Sequence, residues 1–201
     1  MITIINYGSG NIRAIGNIYE RLGIPFKIAN SPEEVSGAQK IILPGVGAFD
    51  ETMSMLDAAG FRSILDQEVL THQVPVLGIC VGMQILATRS EEGSLPGLGW
   101  VNGKVKKIDK TLLKSKPKIP HLGWNSIKIT NTNGFFHKVD EEQGFYFLHS
   151  YYFECAEEKD IMSLTTYGKD FASSVNHKNI YGRRKLYISK EKCPLQVEYY
   201  M

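Results

Sequence analysis

A cysteine framed by glycines, Gly78-Ile79-Cys80-Val81-Gly82, is the pattern of a thiol held up for attack on a carbonyl carbon. The apolar run before it, Val76 to Ile79, reads as a buried strand, and Met83, Ile85, Leu86 and Ala87 fit the start of a helix. A strand that reverses at once into a helix leaves little room beside the turn, so glycine suits both flanks. The central residue is then strained and exposed at the C-terminal edge of a sheet. The positive end of the helix behind it favours thiolate, the reactive form. On this motif alone, a nucleophile and a buried structural cysteine stand about equal, because free cysteine is among the most buried residue types.

An attacked carbonyl also needs donors where its oxygen becomes negative. Pro44-Gly45-Val46-Gly47-Ala48-Phe49 follows the apolar run Lys40 to Leu43, and glycines on both sides of Val46 leave the backbone free to aim an amide into a cleft. Standing alone, the segment reads first as a strand-ending turn. The earlier glycine loop, Tyr7-Gly8-Ser9-Gly10-Asn11, could cradle an anion. It lacks phosphate-binding spacing, and a plain tight turn is the favoured reading.

The elements that must position these loops alternate. Ile2 to Asn6 is a strand; Ile12, Ile15, Ile18, Tyr19 and Leu22 recur at helical spacing, stopped by Gly23. Pro25 to Ala29 is a second strand, and Ser31-Pro32-Glu33-Glu34 opens a short helix. One or two helices fill residues 50 to 70, broken near Gly60, before the Cys80 strand. This order predicts a parallel sheet covered on both faces, an α/β fold. The second half changes character: residues 101–108, 126–130, 145–154, 161–167, 171–175 and 179–181 read as strands, an antiparallel extension of the same sheet.

Composition narrows the function classes. A chain of 201 residues is one domain with room for a core, and a net charge of +2 points to neither nucleic acid nor membrane. No apolar run has the length of a membrane span, and residues 1–5 are too short for a signal peptide. Cys80, Cys155 and Cys193 are odd in number and lack metal spacing, which fits a reducing cytoplasm and no metal.

Leu43-Pro44-Gly45-Val46-Gly47-Ala48-Phe49 and Leu77-Gly78-Ile79-Cys80-Val81-Gly82-Met83-Gln84 together resemble a class I glutamine amidotransferase, and more narrowly the glutaminase subunit of imidazole glycerol phosphate synthase. Ser90-Glu91-Glu92-Gly93, Pro120 to Asn125, Tyr146 to Tyr151, Tyr167-Gly168 and Asn179 to Gly182 extend the resemblance over residues 1 to about 182. It implies a doubly wound mixed sheet of flavodoxin-like type in a single domain, residues 1–201, with 183–201 an atypical tail. It implies glutamine hydrolysis to glutamate and ammonia, the ammonia passing to a (β/α)8-barrel cyclase in histidine biosynthesis, with no cofactor. By the match, Cys80 is the nucleophile, and the backbone near Val46, Gly47 and Val81 holds the oxyanion. Gln84 and Glu92 bind glutamine, and His121, Trp124 and Tyr146 lie toward the partner.

In that family the strand ending Tyr-Gly continues Val-Gln-Phe-His-Pro-Glu, whose histidine moves protons and whose glutamate orients it. Here Tyr181-Gly182 is followed by Arg183-Arg184-Lys185-Leu186-Tyr187-Ile188, with leucine and isoleucine at those two positions. Neither moves a proton, so impaired turnover is expected. Pro194 interrupts the closing helix the family has, and the abrupt break suits a reading-frame change near codon 183. Two other functions stay open: an inactive partner that docks on and regulates a cyclase, and an amidotransferase for surface-sugar amination.

Overall fold

The computed structural model describes residues 1–113, 119–131, 136 and 145–184. The first half is built as expected. Strands β1 (Ile2–Ile5), β2 (Phe26–Ala29), β3 (Lys40–Gly45) and β4 (Val76–Cys80) pair in parallel, with β1 between β2 and β3 and with β4 beyond β3. Helix α1 (Ile12–Arg21) joins β1 to β2, its first turn capped by Asn11 Oδ1 accepting from the Ala14 amide. Helices α2 (Phe49–Ala58) and α3 (Phe61–Asp66) join β3 to β4, and Gly60 separates them at φ 75°, where a side chain is disfavoured.

Side chains on these strands alternate between two apolar layers, as period-two geometry demands. Ile5, Ile41, Leu43 and Val76 pack with Phe49, Met53, Phe61 and Leu65 of α2 and α3. Ile2, Ile4, Ile42 and Leu77 pack with Tyr19 of α1 on the other layer. Both faces of the parallel sheet are therefore covered, which explains why its strands read as unbroken apolar runs rather than alternating ones.

After β4 the chain makes one helical turn, α4 (Val81–Gln84), then strand β5 (Arg89–Ser90). Sequence periodicity favours a longer helix here. It is stopped because the carbonyls of residues 85 to 88 accept from a returning loop instead: Leu98 N to Ile85 O, Val101 N to Leu86 O, Gly99 N to Ala87 O and Gly97 N to Thr88 O.

The remaining described strands are β6 (Gly103–Lys107), β7 (His121–Asn125), β8 (Lys128–Ile129), β9 (Phe145–His149), β10 (Tyr151–Cys155), β11 (Ile161–Tyr167), β12 (Lys169–His177) and β13 (Ile180–Arg183). The larger sheet runs β2-β1-β3-β4-β13-β12-β10-β6-β5, with β11 branching from β12 and β8 paired to β11. β13 is parallel to β4; β12 is antiparallel to both β13 and β10, β10 is antiparallel to β6, and β5 closes the edge parallel to β6. This is the mixed α/β sheet with an antiparallel extension. Residues 145–154, one strand by sequence, divide at Ser150: β9 pairs with β7 in a separate two-stranded sheet and β10 joins the main one.

Candidate active site

Cys80 ends β4 with φ 61° and ψ −113°, a conformation that costs about 1–3 kcal/mol for a residue with a side chain. Close packing imposes it. A Cβ added at Gly78 would lie 2.5 Å from Gly82 O, and one at Gly82 only 1.9 Å from Leu43 O. Glycine at both positions lets β4 turn onto α4 while β3 presses against the turn. Gly45 is the register partner of Cys80, so the thiol stands beside the Gly45-Val46-Gly47 turn. With only four residues, α4 lends less dipole than a full helix would, and the strained elbow rather than the dipole presents the sulfur.

Val46, Gly47, Cys80, Val81, Gln84 and Glu92 line one cavity of about 350 Å³, together with residues 147–151 and Arg184. Six residues named from sequence thus converge. Glu92 is anchored: its Oε2 accepts from Phe49 N at 3.0 Å, and its own amide donates to Ser90 Oγ at 3.0 Å. Asp50 ties the same loop to the start of α2 by accepting from Ser94 N and Leu95 N. Gln84 is buried, and its Oε1 has no hydrogen-bond partner among the described residues.

The Val46 peptide is held at both ends by one side chain. Val46 N donates to Ser9 Oγ and Ser9 Oγ approaches Val46 O, each at 3.0 Å. Tyr7 Oη donates to Pro44 O, and a Cβ at Gly10 would sit 2.6 Å from Pro44 Cβ. The Gly8–Gly10 loop is therefore a tight turn clamping the Val46 strand. As held, the Val46 amide points to Ser9. The Val81 amide opens α4 and is free of intrahelical bonds, as first-turn amides are.

The three residues assigned to a partner face divide. Trp124 is 56% exposed and Tyr146, its cross-strand partner, is half-buried against it, the rings 5.7 Å apart. Leu122 and Leu148, both 60% exposed, pair on the same face. His121 does not join them. It is three residues from Trp124 on a strand, which places it on the opposite face, buried and stacked on Tyr167 and Phe147 at 4.0 and 4.8 Å. It supports this face from beneath.

His121 belongs to a chain of hydrogen bonds whose tautomers are fixed. Tyr151 O only accepts, so His149 Nδ1, 2.9 Å away, carries its proton and His149 Nε2 is an acceptor. His121 Nδ1 must then donate to it at 3.1 Å, leaving His121 Nε2 to accept from Asn125 Nδ2. Burial and then the nearby Arg184 charge lower His121 to about 4, and burial, Arg184 and His121 push His149 far lower still. Above pH ~6.5 both folded and unfolded rings are neutral; below it the unfolded chain takes protons the folded one refuses. Stability therefore falls as pH drops from ~6.5 through 4. His121→Gln is expected to flatten that decline in the urea midpoint relative to the native chain.

Of the described histidines, His149 alone lines the cavity. His72 sits 3.2 Å from Glu68, His177 3.1 Å from buried Asp160, and burial pushes the Cys155 thiol up to about 12. His137, Cys193, Lys185, Leu186, Tyr187, Ile188 and Pro194 lie outside the described residues. Arg184 is the residue sequence reading missed. It follows β13, is buried, and donates from Nη2 to Tyr151 O. Burial lowers its guanidinium to about 10, opposed by the charges of Cys80 and Glu92, so it stays cationic at neutral pH. The signal was available: an arginine just past the strand that pairs with the Cys80 strand. Among the described residues no cluster of His, Cys, Asp and Glu could hold a metal ion, and no helix is long and apolar enough to cross a membrane.

The fold and the Cys80 elbow agree with one class of protein: residues 3–183 match the family glutamine amidotransferase class-I. The chain belongs to that family. It is a homologue of imidazole glycerol phosphate synthase subunit HisH, 47% identical to that of Bdellovibrio bacteriovorus and 44% to that of Leptospira borgpetersenii. Each match covers 90% of this chain and 89% of the relative. A crystal structure of a glutamine amidotransferase shares the fold at TM-score 0.70 and 16% identity, over 99% of this chain and 96% of that one. A putative GMP synthase subunit from Thermoplasma acidophilum does so at 0.68 and 16%, over 99% and 90%.

Proposed function

We propose that the Cys80 cavity binds glutamine and that this chain is the glutaminase subunit of a cytoplasmic imidazole glycerol phosphate synthase. The observation that carries the reading is Cys80 itself, held at φ 61° beside Gly45-Val46-Gly47 in a cavity that also contains Gln84 and Glu92. Cys80 sulfur adds to the side-chain carbonyl carbon, and the carbonyl electron pair moves to oxygen. The Val81 amide receives that oxyanion, joined by the Val46–Gly47 backbone once Val46 N leaves Ser9. Collapse breaks the carbon–nitrogen bond; the nitrogen leaves as ammonia after gaining a proton, and water hydrolyses the thioester to glutamate and free thiol. Glu92 and Gln84 Oε1 are suited to the substrate ammonium.

Proton transfer is where this chain differs. Leu186 and Ile188 stand at the family's histidine and glutamate positions, and His149 is neutral with both ring nitrogens engaged. Slow turnover follows, because no histidine among the described residues is free to carry a proton in the cavity and water must serve instead.

The β7–β9 sheet supports docking of a (β/α)8-barrel cyclase. Leu122, Trp124, Tyr146 and Leu148 form one apolar face, and Leu148 also lines the Cys80 cavity, so a subunit seated there covers the ammonia exit. Trp124→Ala with Leu122→Ser is expected to weaken cyclase binding about 30-fold or more while leaving labelling of Cys80 by a glutamine-like diazoketone unchanged. Titration calorimetry against a HisH-relative's cyclase checks the first part, intact mass the second. The loss of His and Glu favours a second reading, a docking partner without glutaminase activity. Ammonia release with and without the cyclase and its ligand separates the two: release stimulated by the cyclase supports the enzyme, and none in either case leaves only the docking role.

A further inference from the structure

We propose that Arg184 makes the Cys80 cavity selective for ligands bearing a carboxylate, receiving the α-carboxylate of the amino-acid substrate; this rests on reading the cavity as a glutamine site. Arg184 is 4% exposed and lines the cavity with Cys80, Gln84 and Glu92. Its Nη2 donates to Tyr151 O, and that carbonyl is fixed from its other side by the His149–His121–Asn125 chain. Its Nε has no hydrogen-bond partner among the described residues.

Among the described residues this buried guanidinium is held by one carbonyl and keeps a donor left over, which makes an incomplete site. A buried cation without a matched anion is costly, and an unsatisfied donor adds to that cost. Glu92 does not close the pair: one of its oxygens is taken by the Phe49 amide, and no ion pair joins it to Arg184 among the described residues. A planar carboxylate matches the guanidinium edge with two charge-assisted hydrogen bonds, which a neutral amide cannot supply. The same cavity holds the complementary deficit, since buried Gln84 Oε1 lacks a donor. An orphan donor on a cation and an orphan acceptor near a carboxylate together fit a zwitterion, the backbone end of an α-amino acid. A clamp serving only to position Tyr151 would need neither the cavity position nor an Nε without a partner among the described residues.

Titration calorimetry in a Cys80→Ala background, which stops turnover, compares L-glutamine with its α-amide, in which the α-carboxylate is a carboxamide. The full chain is expected to prefer glutamine by roughly 10- to 100-fold, and Arg184→Gln to erase that preference while leaving affinity for the α-amide within about threefold. Equal affinity for the two ligands in the Arg184 protein overturns the proposal without any variant at 184. So does a preference that survives Arg184→Gln in protein whose circular dichroism is native. If Cys80 in the native chain is labelled by the diazoketone while either of those results holds, only the carboxylate assignment fails. If Cys80 is not labelled and neither ligand binds, the glutamine reading falls with it.

Discussion

Cys80→Ala is expected to abolish covalent labelling by a glutamine-like diazoketone and to lower any ammonia release from glutamine by on the order of 10³-fold or more. The size follows from the role. An amide is a poor electrophile, and without an attacking sulfur no other step can begin; removing the atom that forms the covalent intermediate removes the route rather than weakening it. The substitution should be cheap for folding, since Cys80 is only half-buried and its backbone strain is imposed by Gly78 and Gly82 rather than by the thiol. Cys155 is not a substitute, because burial and Asp160 hold it protonated. Labelling is read by intact mass and ammonia by a coupled assay; labelling that persists in folded Cys80→Ala protein removes the thiol from the mechanism.

The second large effect runs the other way. Leu186→His, Tyr187→Pro and Ile188→Glu made together are expected to raise ammonia release by about 10²- to 10⁴-fold, the range a positioned general acid–base contributes. The leaving nitrogen needs a proton and the attacking water must lose one. A leucine and an isoleucine offer neither service, and the amine of Lys185 has too high an ordinary pKa to shuttle protons near neutrality. Kinetics of the purified, folded triple variant, with and without a cyclase, measure it. A rate unchanged from the parent would contradict the proposal that Leu186 and Ile188 limit proton transfer.

How much of this was readable from residues alone depends on how local the cause is. The elbow was legible because a steric rule governs it: Gly78 and Gly82 are glycine for want of space, and that shows in sequence. The alternation of β1 to β4 with α1 to α3 was legible for the same reason, as burial on two faces leaves unbroken apolar runs. The short α4 was not, because its stop comes from amides at residues 97 to 101 that periodicity cannot connect to residues 85 to 88. The division at Ser150 was hidden likewise, since one apolar stretch serves two sheets. His121 shows a different failure. Family likeness put it at the partner face, yet strand alternation from Trp124 turns it inward. The place of Arg184 just past β13 was readable, but its burial was not, because the Tyr151 carbonyl and the cavity around the thiol are built by residues distant in sequence.

The most direct test is peptide mapping by mass spectrometry of the native chain after exposure to the diazoketone analogue of glutamine. One adduct, on the peptide containing Cys80 and blocked by excess glutamine, is the predicted result. An unmodified Cys80, or an adduct that glutamine does not suppress, would contradict the claim that this sulfur attacks glutamine.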